Sequence, residues 1–254
     1  MISLEQIKVL AKLHKIDESV IAREYIQLLF LNELYSNKFS KNIFFKGGTA
    51  IKLVYKGNRF SEDLDFTVNI AFDEFEKEIK NVFKDLKTKY NITVSQKETI
   101  IGKSYLLTYK FAEFKTDIFV KLDFSFRESV IEPTPEIIKT NFPIIINNFF
   151  QVLSKDELVA EKIRAIMTRN KLRDLYDLWV LLSLGAKINL RLIQKKLDFY
   201  QETFDLTKLL KNISKFSKKD FIQDLRPFVP VSEREKLADL FDFIIRYLEE
   251  RFTK

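Results

Sequence analysis

Apolar positions recur at helical spacing through residues 3 to 36, with Ile21, Tyr25, Leu28 and Leu29 on one arc and Asp17 placed to cap the second of two helices. Ile43 to Lys46 reads as a short strand, and Thr49 to Lys56 as a brief helix stopped by Gly57 at its C′ position. From Phe60 to Val68 the period changes to two: Ser61, Asp63, Asp65 and Thr67 share one face, and Leu64, Phe66 and Val68 share the other. Residues 73 to 88 suit a helix. Three strands are predicted after it, at Ile92 to Gln96, Tyr105 to Phe111 and Asp117 to Phe126. In the last of these, Ile118, Val120, Leu122, Phe124 and Phe126 form an apolar face opposite Lys121, Asp123 and Ser125. Pro133, Pro135 and Pro143 mark a loop. Beyond it the pattern is helical: Ser154 to Glu157 forms a capping box, a helix runs to about Asn170, and Leu172 to Leu184 forms another, closed by Gly185. Ser232 to Glu235 is expected to cap a final helix burying Leu237, Phe241, Ile244, Ile245 and Leu248. The fold class implied is α+β, with a mixed α/β domain over residues 1–145 and an all-helical domain over 146–254.

Composition removes several kinds of chemistry. The chain has 254 residues, enough for a sizeable core, and its 25 phenylalanines predict one packed with rings. No cysteine is present, which excludes disulfides and thiolate metal sites. The single histidine, His14, lies far in sequence from every other polar cluster, so a Ser-His-Asp mechanism lacks its base. Met1 to Lys15 contains neither an uninterrupted apolar core nor a small-residue cleavage site, and no apolar run approaches a membrane span. A cytoplasmic location with no membrane partner is expected. The net charge of +7 is uneven, with ten Lys/Arg against five Asp/Glu between Lys187 and Arg226. That excess suits an acidic partner such as RNA, and a solvated helical face explains it almost as well.

Two clusters carry chemistry. Gly47-Gly48, set between strand and helix, allows backbone N–H groups to approach a ligand such as phosphate, although a tight turn alone would use the same pair. Asp63 and Asp65 then project from one strand face that carries no balancing lysine of its own. Two hard oxygen donors suit Mg²⁺, which keeps other positions for water and substrate phosphates. Asp123 is the natural third carboxylate, as metal ligand or general base. Three carboxylates, Mg²⁺ and a glycine turn are what nucleotidyl transfer requires. In the second cluster, Lys162 falls inside an apolar arc made by Leu158, Val159, Ile163 and Ile166, with Glu161, Arg164 and Thr168 outside it. Asp174 and Asp177 repeat the anomaly with opposite sign on the next helix. Either an internal ion-pair network staples the two helices, or Lys162 reaches a nucleotide phosphate while Asp174 or Asp177 orients it. Both can hold together.

The run KGGTAIKLVYKGNRFSEDLDF resembles the first motif of the AbiEii-type nucleotidyltransferase toxins of bacterial type IV toxin–antitoxin systems. Their pattern is GGT, a short helix, then R-[FI]-S-x-D-[LI]-D, matched here by Lys46, Gly47, Gly48, Thr49, Arg59, Phe60, Ser61, Asp63, Leu64 and Asp65. The likeness extends to ELVAEKIRAIMTRNKLRDLYDL, residues 157 to 178. It implies a small mixed sheet of the polymerase-β-like nucleotidyltransferase type with flanking helices, and a helical C-terminal half closing the cleft. It further implies an NTP substrate held by Lys46, Gly47, Gly48, Thr49 and Ser61, with Arg59 bridging to the phosphates or bracing the turn. Asp63, Asp65 and Asp123 would hold Mg²⁺; Ser61, Lys162, Asp174 and Asp177 join them as catalytic residues. Relatives of this kind add nucleotides to the 3′ end of tRNA, stop translation and are restrained by a cognate antitoxin. Two other readings are an enzyme of the same fold acting on a protein hydroxyl or small molecule, and an inactive binding module.

Overall fold

The computed structural model describes residues 1–99, 102–112 and 114–253. Packing divides the chain into two compact units, Met1–Val54 with Phe60–Leu153, and Tyr55–Arg59 with Ser154–Lys254.

The first unit opens with α1 (Leu4–His14), whose Ser3 and Gln6 form a reciprocal capping box, and α2 (Glu18–Tyr35), capped by Asp17 through a 2.8 Å bond from the Ser19 N–H. There follow β1 (Ile43–Lys46), α3 (Gly47–Leu53), β2 (Leu64–Val68), α4 (Phe72–Tyr90), β3 (Thr93–Lys97), β4 (Lys103–Tyr109), β5 (Ile118–Ser125), β6 (Pro133–Glu136) and β7 (Phe150–Leu153). Among the described residues the strands form one mixed sheet in the order β3-β4-β5-β2-β1-β7-β6. β2 pairs with β5, and β1 with β7, in parallel; the remaining pairs are antiparallel. α2 packs on β5 and also on α4, and its buried residues accordingly run almost continuously from Tyr25 to Tyr35. Phenylalanine rings join the layers. Phe66 stacks on Phe124 at 4.8 Å, and Phe45 and Phe30 meet Phe66 at 5.5 and 6.0 Å.

Four differences from the sequence reading have local causes. The strand expected from Phe60 begins only at Leu64, because side chains hold the carbonyls before it. The Gln27 amide donates to the Ser61 and Glu62 oxygens at 3.0 and 2.9 Å, and the Thr49 hydroxyl donates to the Asp63 oxygen. The helix after the glycine pair ends at Leu53, and the left-handed residue beyond it is Lys56 (φ +59), not Gly57. Pro133 and Pro135 lie within β6, an edge strand, where a missing N–H leaves no ladder bond unmade. The first unit also extends past 145 to Leu153, because Val152 of β7 pairs with Phe45 of β1.

The second unit contains α5 (Lys155–Thr168), α6 (Leu172–Ser183), α7 (Leu190–Asp198), α8 (Leu206–Ser214), α9 (Lys218–Leu225) and α10 (Leu237–Thr253). Ser154 caps α5 by accepting from the Glu157 N–H. Gly185 (φ +82) closes α6, and the N–H groups of Gly185 and Ala186 return to the carbonyls of Leu182 and Leu181. Ser232 sits inside a 3₁₀ turn, Val231–Lys236, one turn ahead of α10, so it does not cap that helix. α5 is the centre of this unit, packed against α6, α7 and α8. Among the described residues no helix is long and apolar enough to cross a membrane.

Candidate active site

The parallel register of β2 and β5 sets Leu64 against Leu122, Asp65 against Asp123 and Phe66 against Phe124. Side chains alternate along a strand, so Asp65 and Asp123 stand together on one face while the leucines and phenylalanines are buried on the other. Asp63 lies two residues before Asp65, just outside the strand, in the segment that Gln27 and Thr49 hold from two sides. On β5, Lys121 shares the face of Asp123, and its Nζ meets Asp123 Oδ2 at 2.7 Å. Partial burial works against the Lys121 charge, but Asp123 first, then Asp63 and Asp65, raise its pKa above the usual lysine value. A lysine thus stands on the neighbouring strand, paired with Asp123.

The glycine turn is built against the same carboxylates. Lys46 is opposite Asp65 in the β1–β2 ladder, and its buried ammonium pairs with Glu128 Oε2 at 2.8 Å. Gly47 has φ +79, and a Cβ there would lie 2.2 Å from Asp65 Oδ2. The glycine is thus required twice, by backbone conformation and by the carboxylate lying over it. Thr49 is buried, with its hydroxyl given to the Asp63 carbonyl; it ties the first turn of α3 to the aspartate segment. Ser61 is half-buried beside Glu62, which Arg23 of α2 meets at 3.2 Å.

Arg59, Lys162, Asp174 and Asp177 come together in the second unit. Arg59 donates Nε and Nη2 to the two oxygens of Asp177, both at 2.7 Å. Lys162 Nζ lies 2.7 Å from Asp174 Oδ1 and 2.7 Å from Asp177 Oδ2. Arg169 adds a fork onto Asp174 at 2.9 and 3.2 Å. Burial alone would raise the Asp177 pKa; Arg59 and then Lys162 outweigh it and hold the carboxyl down at about 2. Asp174 is lowered in the same sense against burial, by Lys162 and then Arg169. The network expected from the two helices is present, and Arg59 braces it.

Sequence reasoning missed three charged residues. Lys121 pairs with Asp123, two residues on along β5, and Glu128 lies in a loop with its partner Lys46 82 residues away in the chain. Lys196, expected to be an outward cation of the basic stretch, is 2% exposed, with Glu157 at 2.6 Å and Glu161 at 3.3 Å. Glu161 and Arg164, expected on the open side of α5, are buried as well, because helices cover that side too.

A profile of nucleotidyl transferase AbiEii toxins of type IV toxin–antitoxin systems matches residues 29–247. The chain belongs to this family. It is a nucleotidyltransferase of the toxin class, and the family implies an NTP substrate and an antitoxin partner. No curated protein matches the chain in sequence. Among solved structures it is similar to MenT4, a nucleotidyltransferase toxin from Mycobacterium tuberculosis H37Rv, with 18% identity, a TM-score of 0.69, and 99% of this chain and 93% of that one covered. It is also similar to JHP933 from Helicobacter pylori, with 20% identity, a TM-score of 0.52, and 93% and 96% covered. At these identities the likeness is one of fold.

Family nucleotidyltransferases use a divalent metal, and the donor set on the β2–β5 face fits one. Among the described residues no three His, Cys, Asp or Glu side chains form a ready-made metal cage. Mg²⁺ does not need one, since it takes one or two carboxylates and completes its shell with water and substrate phosphates. The carboxylates of the register partners Asp65 and Asp123 supply that number, and a cation, the Lys121 ammonium, is already paired with Asp123.

Two outcomes are expected from this geometry. Gly47→Ala should displace the Asp65 carboxylate and force an unfavourable φ, lowering stability by about 1–3 kcal/mol and turnover by more than its fold loss explains. Urea titrations beside rates on folded protein measure both, and parental turnover would contradict the close approach. The Asp177 carboxyl is depressed in the folded state, so its stabilisation is complete above about pH 4 and is lost as pH falls towards about 2. An Arg59→Met/Asp177→Leu double variant should show a shallower loss of stability across that window, by up to about one proton in the pH slope. Parallel slopes for the two proteins would remove the pair as the source.

Proposed function

We propose that this protein is a cytoplasmic, Mg²⁺-dependent toxin that transfers NMP from an NTP to an RNA acceptor, the 3′ end of tRNA, and so blocks translation until its antitoxin restrains it. The observation that carries the proposal is the pairing of Asp65 with Asp123 on one face, beneath a glycine turn that only Gly47 can make. Bound Mg²⁺ would neutralise the triphosphate and lower the pKa of the attacking hydroxyl. Asp63 and Asp65 would hold it. Asp123 serves as third ligand or as the base that takes the acceptor proton, and pyrophosphate leaves from the α-phosphorus. The backbone at Gly47 and Gly48 and the Ser61 hydroxyl face the triphosphate in this reading. Lys46 and Thr49 support that turn from within, through Glu128 and the Asp63 carbonyl. The net charge of +7 supports an anionic acceptor.

The test is transfer itself. Each α-labelled NTP is incubated with the protein, Mg²⁺ and total RNA; label is expected in a tRNA-sized band and is expected to vanish with chelator. Label appearing in protein instead would replace the RNA acceptor with a protein hydroxyl. Asp63→Asn should abolish transfer with the melting temperature unchanged or slightly raised, since it removes one of several clustered negative charges. Transfer at the parental rate would sink the metal-site reading.

Lys162, with Asp174 and Asp177, is proposed as the cation that meets developing phosphate charge, in addition to stapling α5 to α6. Lys162→Met keeps the stem and removes the charge. If the group is catalytic, turnover collapses in a variant that remains folded. A purely structural group shifts stability by about 1–4 kcal/mol, in either direction, and leaves single-turnover rates intact.

A further inference from the structure

Lys121 is placed unlike the other cations of the first unit's site. Lys46 is buried on a buried partner, Glu128, and is held there. The side chain of Lys121 is 46% exposed, its partner Asp123 is 36% exposed, and its four-carbon stem rises from the open face of β5. Asp65 and Asp123 are register partners on adjacent strands, which run about 4.8 Å apart, so their charges repel unless a cation lies among them. In this structure an ammonium carried by the chain, that of Lys121, lies 2.7 Å from Asp123 Oδ2. A divalent ion taking the same oxygens must displace it, and the displaced ammonium then needs a new anion. A metal-bound triphosphate, still net negative, brings one; a bare metal ion does not.

We propose that Lys121 is the site's own counter-ion, exchanging places with the catalytic metal, and that it makes metal binding depend on nucleotide. The proposal rests on the metal reading of Asp63, Asp65 and Asp123 given above. Without nucleotide, Lys121 keeps the carboxylates neutralised and opposes a metal ion. With nucleotide, the ammonium is released from Asp123 to the phosphates, and metal and NTP bind cooperatively.

The probe is Mn²⁺, followed by its electron paramagnetic resonance signal, with and without a non-hydrolysable NTP analogue. Lys121→Met removes the charge and keeps the stem. It should bind Mn²⁺ alone at least about five-fold more tightly than the parent protein, and the enhancement of Mn²⁺ binding by the analogue should shrink by a similar factor. Thermal melting gives a second readout. The variant should melt lower than the parent in chelator and gain more from Mn²⁺, because the metal then replaces the missing ammonium. Equal Mn²⁺ affinity in the two proteins, or weaker binding in the variant, overturns the exchange while leaving the metal site standing. Failure of both proteins to bind Mn²⁺, with or without the analogue, overturns the exchange and the metal reading together. Lys121→Arg covers the case of a poorly folded methionine variant: it keeps the charge and should retain the parent's weak binding of Mn²⁺ alone, and tight binding by it would count against the proposal.

Discussion

The parallel pairing of β2 with β5 is the contact on which the first unit's chemistry depends. One register stacks Phe66 on Phe124 in the core and brings Asp65 beside Asp123 on the opposite face. The favourable and unfavourable parts are inseparable, because a slip of one residue would bury the aspartates and expose the rings. Burial of the ring stack therefore fixes the geometry of two like charges that would otherwise move apart. Gly47 belongs to the same constraint, since the space its missing side chain leaves is filled by the Asp65 carboxylate.

The two units handle concentrated charge in different ways. In the helical unit the ions are buried and paired in fixed forks: Arg59 on Asp177, Lys162 between two aspartates, Lys196 between Glu157 and Glu161. Desolvated groups held this way cannot exchange partners cheaply, and removing one member leaves an uncompensated buried charge. On the sheet the carboxylates remain partly open and their counter-ion is a flexible lysine in contact with solvent. Exposed pairs of that kind hold weakly and change partners readily. The metal–nucleotide complex proposed for the sheet face would draw on the second arrangement.

The fold is shared with proteins only 18–20% identical, which means it survives extensive replacement of side chains. A fold does not by itself fix what it acts on, so an acceptor is decided by the chemistry of the surface that meets it. Lys196 illustrates how poorly such a surface is counted from composition: one of ten basic residues in the stretch is a core ion.

Taken alone, the sequence determined the elements whose signals are local. The alternation of β5, the Asp17 and Ser154 caps and the Gly185 stop all depend on neighbours within a few residues, and each is where the pattern put it. The motif from Lys46 to Asp65 was legible for the same reason, and it named the family. Tertiary structure decided what depends on distant partners. Pro133 and Pro135 could enter a strand because it lies at the sheet's edge, and the strand before Leu64 was lost because Gln27 and Thr49 captured its carbonyls. Glu161 and Arg164 were buried because helices cover α5 on several sides, which a wheel with one apolar arc does not reveal. Above all, the carboxylate set beside Asp65 comes from Asp123, more than fifty residues along the chain, through the register of β2 on β5. A residue's own period tells which face it occupies; only the register of another strand tells which charges share that face.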